Sequence, residues 1–206
     1  MGKKTNSWID RLRELRRQNA PRKFHSAILL AAGSGLRFGD ENGKHLTMCG
    51  GVPVLVRSAL AFESCDQIDE IVVVTRDCDR ETCTNLLRSA GVTKLKTVVS
   101  GGETRQSSAK RGFDAVNPNS DFVSLHDAAR CLVTPEMIAA VLEEAEIHGA
   151  AACAEKPVDT VKRVNKDGFI EETLDRDRVW LVKTPQTFLA NMYRAAAYTA
   201  EKDGFT

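Results

Sequence analysis

The chain has 206 residues, 42% hydrophobic and 28% charged, with a formal net charge of +1. Such a composition is that of a globular chain large enough to bury a real core. It excludes a strongly acidic or basic polyelectrolyte, and no apolar run approaches the ~18 residues of a membrane-spanning helix. The charge is unevenly placed: residues 1–24 carry eight basic side chains against Asp10 and Glu14, a local excess of +6. Trp8, Ile9, Leu12 and Leu15 fall on one side of a helix among those arginines. Targeting, membrane-surface and RNA-contacting roles are open there, beside the plainer reading of an exposed, partly helical or disordered appendage ending at Pro21. Six scattered cysteines form no Cys-x-x-Cys pair and have no His at zinc spacing, so they read as reduced thiols of a cytoplasmic protein.

From Ser26 onward, strands and helices alternate. Apolar, β-branched runs occur at 26–32, 70–75, 96–100, 122–128 and 150–158. Between them lie amphipathic stretches at Val54 to Phe62, Arg80 to Ala90, Thr104 to Val116 and Pro135 to His148, the last begun by Thr134 as N-cap and Pro135 at the first helical position. Alternation of this kind predicts an α/β fold: three layers, a mainly parallel Rossmann-like sheet with helices on both faces. After Pro157 the pattern breaks. A turn signal, Asn165-Lys166-Asp167-Gly168, lies between two mixed stretches too poor in apolar residues to build a core. It predicts a β-hairpin arm at about 158–177, projecting from a domain spanning 25–206 and packing against a second copy of the chain.

Ligands of such sheets sit beyond the C-terminal ends of the strands. Five polar clusters fall there: Gly33-Ser34-Gly35 with Arg37 and Lys44; Gly101-Gly102-Glu103 with Arg105 and Ser108; His126-Asp127 with Arg130; Asp159-Thr160 with Lys162 and Arg163; and Asp175-Arg176. The first loop fits neither familiar phosphate motif, because residue 38, where both require glycine, is Phe38. Glycines nonetheless let backbone N–H groups approach phosphate oxygens, and Arg37 and Lys44 add two cations suited to a triphosphate and to nucleotidyl transfer. A plain strand-to-helix turn with two solvated cations is the competing reading. Asp127 either binds Mg²⁺ bridging phosphates or caps its turn and pairs with Arg130. His126 reads as structural. Cations at strand ends without interleaved aromatics favour a small phosphorylated substrate over nucleic acid.

Taken in order, "AAGSGLRFG…GKHL", "GGETRQSSAKRG", "LHDAAR", "PVDTVKR" and "LDRDRVWLVKTPQTF" resemble the 2-C-methyl-D-erythritol 4-phosphate cytidylyltransferases of non-mevalonate isoprenoid synthesis, within the broader glycosyltransferase-A-like nucleotidyltransferase superfamily. The resemblance implies transfer of a cytidylyl group from CTP to the methylerythritol phosphate, with Mg²⁺ or another divalent cation and release of pyrophosphate. Arg37 and Lys44 are then the catalytic pair. Ala31, Ala32, Gly33, Gly35, Gly102, Glu103 and Ser108 line the nucleotide pocket, with Asp127 near ribose, metal and substrate. Arg130, Thr160 and Arg176 hold the polyol phosphate, and the arm reaches across a homodimer. Two departures stand out: Gly43-Lys44-His45 replaces the usual Pro-Lys-Gln, which predicts a looser loop, and Cys131 replaces a proline. Relative to the family the domain also reads as C-terminally short, which bears on its activity. The alternatives are a ribitol-5-phosphate cytidylyltransferase and a non-catalytic relative that binds a partner through its basic N-terminal segment.

Overall fold

Continuous apolar strands must be covered on both faces, and this requirement organises the molecule. The computed structural model describes residues 22–33 and 44–204. The strands are β1 (His25–Leu30), β2 (Met48–Cys49), β3 (Val52–Pro53), β4 (Glu70–Thr75), β5 (Leu95–Ser100), β6 (Phe122–Asp127), β7 (Ala150–Glu155), β8 (Lys162–Val164), β9 (Ile170–Thr173) and β10 (Leu181–Leu189). The helices are α1 (Val54–Glu63), α2 (Arg80–Ser89), α3 (Arg105–Asp114), α4 (Pro135–His148) and α5 (Ala190–Lys202).

Six strands form one sheet in the order β5-β4-β1-β6-β10-β7. The pairs β5/β4, β4/β1 and β1/β6 are parallel; β10 runs antiparallel to both β6 and β7. On one face Leu29, Ile71 and Val73 pack with Leu55 and Phe62 of α1, Leu87 of α2 and Leu142 of α4. On the other, Ile28, Val72 and Val74 meet Ala109 and Phe113 of α3 and Ala190 of α5. The three-layer arrangement expected from the alternation is therefore present, and the expected strands and helices are found within a few residues. Thr134 caps α4 through Oγ1, which accepts from Met137 N–H at 3.3 Å. A reciprocal capping box forms at α3 between Thr104 and Ser107.

Some elements lie outside the pattern read from sequence. They include β10, which wedges between β6 and β7, the terminal helix α5, and the small β2–β3 hairpin. The arm is where the turn signal put it. Asn165 Oδ1 accepts from Asp167 N–H at 3.0 Å and from Phe169 N–H at 2.9 Å, and Gly168 takes φ +86°. Every residue of β8 and β9 is exposed. The apolar face of the N-terminal segment, Trp8 to Leu15, lies outside the described residues. Arg22–Phe24, however, tie into the domain: Arg22 pairs with Asp69 at 2.7 Å, and Phe24 N–H donates to Asp121 Oδ2 at 2.8 Å.

Candidate active site

The site assembles at the C-terminal rim of the parallel strands. Beyond β1 the chain stays in register, with Ala31 N–H donating to Val74 O at 2.6 Å. Ala31 is buried, Ala32 is half-buried and Gly33 is exposed. Beyond β5, Gly101 N–H donates to Thr75 O at 2.8 Å. A Cβ on Gly101 would overlap Ala32 Cβ and sit 2.9 Å from Ser108 Oγ; one on Gly102 would overlap Ser107. Glycine is thus required by close approach between two rim loops. Ser108 Oγ accepts from Gly102 N–H at 3.0 Å, and Arg111 Nη1 donates to Gly101 O at 2.7 Å. Ala32, Gly101, Gly102 and Ser108 are brought together here, while Glu103 lies exposed on the same loop.

Asp127 ends β6 and is gripped from both sides. Arg105, the first residue of α3, donates to Oδ1 at 2.9 Å, and Arg130 donates to Oδ2 at 3.3 Å. The pairing with Arg130 read from the sequence is present, and Oδ2 keeps a lone pair besides. Behind it runs a buried relay. Asp127 N–H donates to Thr184 Oγ1 at 3.1 Å, Thr184 Oγ1 lies 3.1 Å from His126 Nδ1, and His126 Nε2 lies 3.3 Å from Arg130 O. Burial pushes the His126 pKa down to about 4, outweighing the opposing backbone contact and the Asp127 charge. The neutral imidazole therefore braces the turn that presents Asp127 and Arg130.

Lys44 opens a single 3-10 turn, Lys44–Leu46. Gly35 and Arg37 lie outside the described residues. The looser loop expected from Gly43-Lys44-His45 is not found beyond Lys44. His45 is 2% exposed, its Nε2 lies 3.3 Å from Asp79 Oδ2 and 3.4 Å from Thr75 Oγ1, and Leu46 packs on the core.

Thr160 and Arg176 sit elsewhere, at the base of the arm, both exposed, with Arg176 Nη1 donating to Val158 O at 2.9 Å. Lys162 and Arg163 leave the rim as well. As residues of β8 they bond across the arm, Lys162 to Thr173 at 2.6 Å and Arg163 to Glu172 at 3.0 Å. Sequence reading missed Thr184, Asp79 and His45. His45 adjoins Lys44, which is the available signal; Thr184 falls within the LDRDRVWLVKTPQTF motif, but its strand is not marked by an apolar, β-branched run.

The family model for 2-C-methyl-D-erythritol 4-phosphate cytidylyltransferase matches residues 25–206. The chain belongs to that family. It is 37% identical over 180 residues to the 2-C-methyl-D-erythritol 4-phosphate cytidylyltransferase of Syntrophus aciditrophicus, covering 87% of this chain and 77% of that protein. Identity to the corresponding protein of Symbiobacterium thermophilum is 38%, covering 87% and 75%. Among solved structures, the 4-diphosphocytidyl-2C-methyl-D-erythritol synthase of Anaerococcus prevotii superposes with a TM-score of 0.78 at 29% identity, covering 88% of this chain and 78% of that one. The Francisella tularensis cytidylyltransferase superposes at 0.72 and 26% identity, covering 88% and 80%. The chain thus shares both the family and the α/β nucleotidyltransferase fold of these solved relatives.

Proposed function

We propose that this chain transfers the cytidylyl group of CTP to 2-C-methyl-D-erythritol 4-phosphate, releasing pyrophosphate. Family membership supports the reaction, and one observation carries its location: three loops, 31–33, 101–108 and 127–130, interlock on one sheet rim. The substrate phosphate oxygen attacks the α-phosphorus, the bond from that phosphorus to the bridging oxygen breaks, and pyrophosphate leaves with the electron pair. No enzyme nucleophile is needed. Lys44 and Arg37 supply positive charge to the pentacoordinate phosphorus, an effect worth on the order of 3 kcal/mol per well-placed donor.

Ala31, Ala32, Gly33, Gly35, Gly102, Glu103 and Ser108 line the nucleotide pocket in this reading. The close-packed glycines leave the backbone of the second loop accessible to a base or ribose. Arg130, Thr160 and Arg176 bind the polyol phosphate. Thr160 and Arg176 sit on the exposed arm, so they serve the site of a second copy if the arm crosses a homodimer.

No group of three or more His, Cys, Asp or Glu side chains is placed to hold a metal among the described residues. A cation held chiefly by CTP phosphates needs only one or two protein carboxylates, and the part-exposed Asp127 fits that requirement. Mg²⁺ bound there would neutralise triphosphate charge; Arg105 and Arg130 would hold the carboxylate in place for it. The six cysteines are free, in keeping with cytoplasmic residence, and no helix among the described residues is long and apolar enough to cross a membrane.

The test is pyrophosphate release from CTP and Mg²⁺, with methylerythritol phosphate and ribitol 5-phosphate in separate reactions and Lys44→Ala as control. Release with the first polyol alone, reduced 10²–10³-fold in the variant, is the expected result. Release only with ribitol 5-phosphate overturns the substrate assignment. Silence with both overturns the activity.

A further inference from the structure

Lys44 sits on a turn too short to hold itself. The 3-10 segment Lys44–Leu46 has three residues, and its closing hydrogen bond, from Thr47 N–H to Lys44 O, is 3.3 Å long. A turn of that size takes its position from what its neighbours are anchored to. Leu46 packs on the core and Val54 N–H donates to Thr47 O at 2.9 Å; the most deeply buried anchor is the side chain next to Lys44. His45 enters the domain between β4 and α2 and is 2% exposed.

Its Nε2 meets the Asp79 carboxylate at 3.3 Å. Asp79, just before α2, leaves its own helix uncapped and instead accepts from Arg76 Nε at 2.6 Å and Cys78 Sγ at 3.6 Å. Burial raises the Asp79 pKa, but the bond to Arg76 and its charge outweigh that, so the carboxylate stays ionised below its ordinary range. Burial likewise lowers the His45 pKa more than Asp79 raises it. A neutral imidazole facing a carboxylate must carry its proton on Nε2. Its Nδ1 is then a buried acceptor without a hydrogen-bond partner among the described residues. Burying such an atom costs stability. A residue chosen only to fill the core would avoid that cost.

The geometry points to His45 as a positioning residue: through Asp79 and Thr75 it fastens the Lys44 turn to the C-terminal end of β4, and so to the rim where the phosphates lie. Arg76 and Asp79 form the socket. This rests on the assignment of Lys44 to the transferring phosphate.

The experiment compares His45→Ala, His45→Gln, Lys44→Ala and the Lys44→Ala/His45→Ala pair, reading kcat, KM for CTP and amide hydrogen exchange. His45→Ala is expected to lower kcat 10–100-fold while KM for CTP moves less than threefold. Glutamine keeps an N–H for Asp79 and is expected to recover kcat to within about threefold. In the Lys44→Ala background, His45→Ala is expected to cost nothing further, because a residue acting through Lys44 has nothing left to position. Exchange reads placement without activity: the Thr47 and Val54 amides should exchange at least tenfold faster in His45→Ala, with the β4 amides unchanged. Equal losses from His45→Ala with and without Lys44 overturn the inference. So do unchanged Thr47 and Val54 exchange rates. A wild-type chain inactive with CTP would overturn the assigned reaction instead, and the exchange comparison would still decide whether His45 fastens the turn.

Discussion

Arg105 and Arg163 both pair with carboxylates, yet the two pairs belong to different kinds of structure. Arg105 joins the start of α3 to the end of β6, and its partner Asp127 is held from behind by Thr184, His126 and the turn to Arg130. Arg163 lies on a two-stranded ladder and reaches Glu171 and Glu172 across an exposed surface. The first pair is fixed by a packed frame, and geometry there is set before any substrate arrives. The second is a solvated pair on an arm whose order comes from its own ladder and turn. The rim is preorganised by its frame, whereas the arm's side chains are set only by its own ladder and turn.

Substitutions grade that contrast. Phe62→Ala, which empties a fully buried site 5.2 Å from the His126 ring, should cost about 4 kcal/mol of unfolding free energy by urea titration. A cost below ~1 kcal/mol would show that the frame behind the rim is not tightly packed.

Acid should act next. The folded pKa of His126 lies at about 4 against an ordinary 6.5. Its contribution is therefore present above pH 6.5 and lost as pH falls from there through about 4. The full loss is on the order of 3 kcal/mol. Unfolding free energies between pH 7 and pH 4 should fall more steeply in wild type than in His126→Gln, and parallel curves would remove the imidazole from the frame.

On the arm the effects shrink. Gly168→Ala forces a side chain into φ +86° and should cost about 1 kcal/mol, read as faster amide exchange confined to 162–173. Arg163→Ala should change global stability by less than about 0.5 kcal/mol. A larger fall in melting temperature would mean that the arm is integral to the folded unit, and the contrast would fail.

Much of the frame was legible because burial on two faces writes itself as β-branched runs, as in Glu70–Thr75 and Phe122–Asp127. β10 was not. Its sequence, LVKTPQTFL, mixes Lys183, Pro185 and Gln186 into a strand that is exposed at one end, buried further on, and irregular between Val182 and Gln186. Proline argues against an interior strand, and here it sits in that irregular stretch. α5 buries fully only Ala190, so few of its side chains mark a core face. At the site, glycines and cations marked the rim loops, whereas the pairing of Arg105 with Asp127 and the burial of His45 depend on elements that meet only in the fold. Lys162 and Arg163 looked like rim cations because a strand end and an arm strand share the same local composition.

Glu155 of β7 lies opposite Leu181 of β10. Residues 156–180 therefore depart from the sheet and return to it at one point, as the loop of a long antiparallel hairpin. Closing such a loop depends only weakly on its length. The arm is in that sense a cassette: it can be lengthened, reshaped or re-faced without renegotiating the register of the strands that carry it, so the arm and the sheet are free to evolve on separate clocks.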